Sequence, residues 1–123
     1  YVCAPAPLQK AVSEAMKINK KYFTNLSAFY QRNRDLIIET LEKIGFIVYY
    51  PEGAYYLLAD FTKLGYKDCY DAAFSILKET GVAAVPGAAF FEDKTGYKLL
   101  RFCFAKKYPV LKEACKRLLR LKR

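Results

Sequence analysis

A chain of 123 residues, 54% hydrophobic and 16% aromatic, is long enough to bury one core and too apolar to be disordered or fibrous. No apolar run approaches the roughly 18 residues that suggest a membrane span. The formal charge of +9, from 21 Lys+Arg against 12 Asp+Glu, would suit a polyanion partner, but the basic residues alternate with apolar ones in the manner of solvated helix faces.

The start, Tyr1-Val2-Cys3-Ala4-Pro5, carries no initiator methionine and no signal-peptide pattern, and reads as a cut end. After Ala4-Pro5-Ala6-Pro7, Leu8, Ala11, Val12 and Ala15 share one face, which predicts a helix with proline in its first turn. A longer helix is predicted from Thr24 or Asn25, with Leu26, Tyr30, Ile37, Leu41 and Ile44 in step and Gly45 as its terminator. The period then changes: residues 46–50 are β-branched and aromatic, Pro51-Glu52-Gly53 supplies a turn, and 54–60 resume an apolar run, so two adjacent strands are expected.

Asp68 is placed to cap a helix running to Glu79, with Tyr70, Ala73, Phe74 and Leu77 inward and Gly81 ending it. Residues 82–85 then read as a short strand closed by Pro86-Gly87. Strand alternation over 98–104 sends Leu100, Phe102 and Phe104 to one face and Leu99, Arg101 and Cys103 to the other. The last helix opens near Tyr108-Pro109 and keeps Leu111, Ala114, Cys115, Leu118 and Leu121 on one stripe, with Lys112, Lys116, Arg117 and Arg120 outside it. The order predicts an α+β fold, a small antiparallel or mixed sheet with helices on one face.

Histidine is absent and the four cysteines lie far apart, so neither a general-base histidine nor a metal cluster is expected. Cys69, Cys103 and Cys115 sit among apolar residues, where free thiols act as small core hydrophobes, and a reducing cytoplasm is the expected compartment. Arg101, set among apolar strand residues, must snorkel to water, pair with a carboxylate such as Asp60, Glu52 or Glu92, or face a cleft and bind an anion. Its planar fork would favour a carboxylate in that last case. Residue chemistry alone leaves the three open.

Four segments in order carry a resemblance: Ala4-Pro5-Ala6-Pro7-Leu8-Gln9, Pro51-Glu52-Gly53-Ala54-Tyr55-Tyr56, Val85-Pro86-Gly87-Ala88-Ala89-Phe90 and Leu100-Arg101-Phe102-Cys103-Phe104-Ala105. Together they resemble the C-terminal third of class I/II, fold-type I aminotransferases, nearest the aspartate, aromatic and kynurenine aminotransferase-like members. The resemblance implies that residues 1–21 connect from a large domain outside this chain and that 22–123 form the small domain. It implies a parent that binds pyridoxal 5'-phosphate, exchanges amino and keto groups between an amino acid and a 2-oxo acid, and is a cytoplasmic homodimer.

On the same ground, Arg101 holds the substrate's α-carboxylate, Tyr55 lies beside it, and Pro86 and Gly87 shape a turn bordering the cleft. Tyr55 also suits an ordinary packed strand aromatic. The Schiff-base lysine, in a Ser-x-x-Lys stretch, is expected upstream, with no lysine of this chain in such a stretch, which would leave this chain inactive alone. The alternative is a non-enzymatic basic α+β module binding RNA or another polyanion, with Tyr97, Tyr108 and the basic tail 116–123 as its surface.

Overall fold

The first helix, α1 (Ala6–Ala15), has a proline in its first turn as expected, but none of its residues is buried. Residues 3–121 are described by the structure, a computed structural model; Tyr1 and Val2, where the first expected segment begins, and the last two residues of the basic tail lie outside them. Helix α2 (Lys20–Ile44) begins four to five residues before the expected Thr24 or Asn25, because the Asn19 side chain accepts from Lys21 N and caps an earlier turn. It ends at Gly45, whose φ of 112° is the left-handed conformation a non-glycine residue rarely adopts. At 25 residues α2 is about 37 Å long, more than twice the span of a five-residue strand, so its first turns overhang the sheet. Leu26, expected inward, is therefore exposed, while Ile37, Leu41 and Ile44 are buried.

Strands β1 (Ile47–Tyr49) and β2 (Tyr56–Asp60) pair antiparallel, with Val48 opposite Ala59. The turn between them places Ala54, not Gly53, at positive φ (64°), an unusual conformation for a residue with a Cβ. Helix α3 (Cys69–Thr80) is capped at both ends as expected: Asp68 accepts from Tyr70 N and Asp71 N, both at 2.9 Å, and Gly81 takes the left-handed position. Its buried face is the expected one only at Ala73. Cys69, Ala72, Ala73, Ile76 and Thr80 are buried, whereas Tyr70, Phe74 and Leu77 are exposed. The helix is apolar on two sides, and the small side chains of Cys69, Ala72 and Ala73 permit the closer approach to the core.

Of the expected strand 82–85 only Val85 pairs, followed by Pro86, as β3 (Val85–Pro86). It lies at the sheet edge, where a proline costs no ladder bond. Strand β4 (Leu99–Cys103) enters between β2 and β3, giving the order β1-β2-β4-β3 with every neighbouring pair antiparallel. Helix α4 (Tyr108–Leu118) follows.

The core lies on one side of the sheet. Phe46, Leu57, Ala59, Leu100, Phe102 and Phe104 meet Ile37 and Leu41 of α2, Cys69 and Ile76 of α3, and Leu111, Cys115 and Leu118 of α4. The expected α+β arrangement, helices on one face, is what forms. Burial of Cys69 and Cys115 agrees with their reading as core thiols, but Cys103 is exposed, because β4 sends it to the face away from the helices. Among the described residues no helix is long and apolar enough to cross a membrane.

Candidate functional site

The face of the sheet turned away from the helices carries Tyr49, Leu58, Arg101 and Val85 in a row, since Tyr49 pairs with Leu58, Leu58 with Arg101, and Arg101 with Val85. Arg101 thus stands on β4 between two apolar cross-strand neighbours. Two rings flank its guanidinium: Tyr56 of β2 at 4.9 Å and Phe90 at 4.2 Å, each from the guanidinium carbon to the ring centroid. Such stacking is favourable to a planar cation and leaves its N–H edge available.

No carboxylate among the described residues comes within ion-pair distance of Arg101. Asp60, the first structural partner considered, is buried and otherwise engaged: it accepts from Thr62 N at 2.7 Å and from the Thr62 hydroxyl, and Lys98 Nζ lies 3.9 Å away. An arginine on an open face, stacked and without an acid, can receive two oxygens of an incoming carboxylate.

The strap that brings Phe90 to this face runs through two 3-10 helices, Gly87–Phe90 and Lys94–Lys98. Its seat is a contact between two glycines. A Cβ on Gly87 would lie 2.5 Å from Gly96 O and 2.6 Å from Leu99 O, so no side chain fits between the backbones. Asp93 caps the second turn by accepting from Thr95 N at 2.8 Å; the Thr95 side chain, and after it this backbone bond, lower its carboxyl pKa. Gly87 of the expected Pro86-Gly87 turn is accordingly buried.

Tyr55 does not stack on Arg101. Its ring is exposed and meets that of Tyr56 edge-on at 5.4 Å; Tyr56, one residue further, is the ring over the guanidinium. The strand period explains this, because alternate residues face opposite sides and Tyr56 shares the side of Arg101. Phe90 belonged to a quoted motif but not to the expected site; only an aromatic placed shortly after Pro86-Gly87 pointed to it. An apolar groove of about 700 Å³, bounded by Ile37, Val82, Phe102, Val110 and Leu118, does not include Arg101.

The letters Ser-x-x-Lys do occur within the chain, at Ser75-Ile76-Leu77-Lys78, contrary to the expectation that no lysine here sits in such a stretch. They fall inside α3, where Lys78 is an exposed basic residue of the last turn, a place where a cation complements the helix dipole.

The surface expected of a polyanion-binding module is in part occupied by internal contacts. Arg32 stacks on Tyr108 at 4.1 Å, Tyr97 meets Tyr70 at 6.4 Å, and Arg117 pairs with Glu113 one helical turn before it. The guanidinium beside Glu113 lowers that carboxyl's pKa.

Proteins similar to this chain include several aminotransferases. Methionine aminotransferase of Escherichia coli is 32% identical over 115 residues, covering 94% of this chain and 30% of the relative. A probable N-succinyldiaminopimelate aminotransferase of Mycobacterium tuberculosis is 34% identical over 92% of this chain and 31% of its own length. The solved structure of N-succinyldiaminopimelate aminotransferase from that organism superposes with a TM-score of 0.84 at 34% identity, covering 96% of this chain and 31% of that one. The chain therefore spans about three tenths of the length of the relatives it matches. The family model for aminotransferase class I and II matches residues 1–118, and with these likenesses in sequence and fold it shows that the chain belongs to that family.

Proposed function

We propose that this chain is the substrate-gripping C-terminal part of a pyridoxal-phosphate-dependent aminotransferase, which moves an amino group between an amino acid and a 2-oxo acid. The observation that carries the reading is Arg101, stacked on Tyr56 and Phe90 with no carboxylate partner among the described residues. Its fork donates two parallel hydrogen bonds to the α-carboxylate and so sets the tilt of the substrate. Tyr55, exposed at the rim and packed on Tyr56, is assigned to the same substrate side.

The residues present suit the substrate rather than the cofactor's own attachment. We assign the attachment lysine to a part of the parent outside this chain and expect the chain alone to be inactive; Lys78, exposed in the last turn of α3, does not suit the role. Pyridoxal phosphate, when bound, supplies the electron sink for charge at the α-carbon. Residues 1–21 form the connection to the large domain, consistent with an α1 that buries nothing, and 22–123 form the small domain. The parent is placed in the cytoplasm as a homodimer.

The test uses the full-length protein with Arg101→Lys. Losing one charge-assisted hydrogen bond costs about 1.5 to 3 kcal/mol, or roughly one to two decades in kcat/KM. Melting temperature and cofactor absorbance should remain those of the native protein. Normal kinetics in a destabilised variant would mean that Arg101 is structural and the assignment wrong.

A further inference from the structure

Tyr56 and Phe90 are large aromatic side chains at 37% and 45% exposure, outside the buried core, yet each lies over the same guanidinium. They come from separate parts of the fold, Tyr56 from β2 and Phe90 from the strap. The strap is held by the Gly87–Gly96 backbone contact, which a Cβ on either residue would disrupt: one on Gly96 would lie 2.6 Å from Gly87 C. Core packing does not account for rings this open. Fixing the plane of Arg101 does, because a guanidinium on an open sheet face, with no carboxylate partner among the described residues, otherwise rotates about its side-chain torsions, and a two-point grip needs one orientation.

We infer that Phe90 and Tyr56 are positioning residues that hold the Arg101 fork in the orientation that receives a substrate carboxylate. Phe90 is presented by a strap whose seat is the Gly87–Gly96 contact. This rests on the reading of Arg101 as the carboxylate grip. The rings act through the arginine, so their effect depends on a guanidinium being there.

The experiment is a double-mutant cycle in the full-length protein, with kcat/KM for the amino donor and thermal melting measured on each variant. Phe90→Leu is expected to lower kcat/KM about three- to tenfold, the scale of a cation–π contact at 1.4 kcal/mol per decade, with melting unchanged. Phe90→Trp keeps a ring over the cation and should restore most of the loss. Tyr56→Leu should behave as Phe90→Leu does. In the Arg101→Lys background, where no planar fork remains, Phe90→Leu should cost little more. An equal penalty in both backgrounds, or kinetics of Phe90→Leu that match the native protein, would overturn the positioning role while leaving the grip intact. Unchanged kinetics for Arg101→Lys itself would remove the grip and this inference with it.

Discussion

Asn33 offers a measurable test of how the β4–α4 junction is held. The residue is completely buried on α2, and its amide nitrogen donates to Phe104 O at 3.0 Å and Lys106 O at 2.8 Å, just past the strand that carries Arg101. Among the described residues, its Oδ1 is the one buried side-chain polar atom without a hydrogen-bond partner. Asn33→Ala removes two hydrogen bonds of about 0.5 to 1.5 kcal/mol each, a gross loss of about 1 to 3 kcal/mol. Two effects reduce it: Phe104 O keeps the bond from Lys106 N at 2.8 Å, and the burial of an unsatisfied oxygen disappears. A net loss of about 1 to 2 kcal/mol is expected.

Asn33→Asp keeps the shape but replaces the donor with an acceptor facing two carbonyl oxygens, a buried charge with no counterion. Its expected cost is about 3 kcal/mol or more at neutral pH. Burial raises the pKa of such a carboxyl above its unfolded value, so the variant should regain stability as pH falls and the protonated group can donate again. Urea unfolding of the three proteins at pH 7 and pH 5 reads both effects. If Asn33→Asp were as stable as Asn33→Ala at pH 7, the donation to Phe104 O and Lys106 O would not be what holds the junction.

Three further outcomes are expected. Gly87→Ala, whose Cβ would fall 2.5 Å from Gly96 O, should cost about 1 to 3 kcal/mol in thermal unfolding as the strap shifts; a native melting temperature would show that the strap is not seated there. In the native chain Cys3 and Cys103 should react quickly with a thiol reagent and Cys69 and Cys115 only after unfolding. Burial raises the Cys115 pKa, so its neutral thiol contributes stability below the unfolded value that is lost as pH rises through the folded one. Cys115→Ala should flatten that part of the alkaline melting profile, and an unchanged slope would exclude the thiol as its source.

What the sequence by itself determined were the features whose causes are local. Gly45 and Gly81 end helices through their own backbone freedom, Asp68 caps amides two and three residues away, and alternation along β4 alone separates Arg101 from Phe102. The four quoted motifs carried the family for the same reason, as short stretches with a fixed order. Tertiary structure decided which of two apolar stripes α3 buries, because Cys69, Ala72 and Ile76 win over Tyr70, Phe74 and Leu77 only when something must approach closely, with Ala73 buried as expected. It also decided that Arg101 meets no acid among the described residues, that Tyr56 rather than Tyr55 covers it, and that Phe90 joins it. Asn33 reaches Phe104 across 71 residues, and no periodicity of 2 or 3.6 records such a partner. Local backbone preference acts over a few residues and leaves its mark in the string; a site assembled from a strand, a neighbouring strand and a strap exists only once the sheet has brought them together.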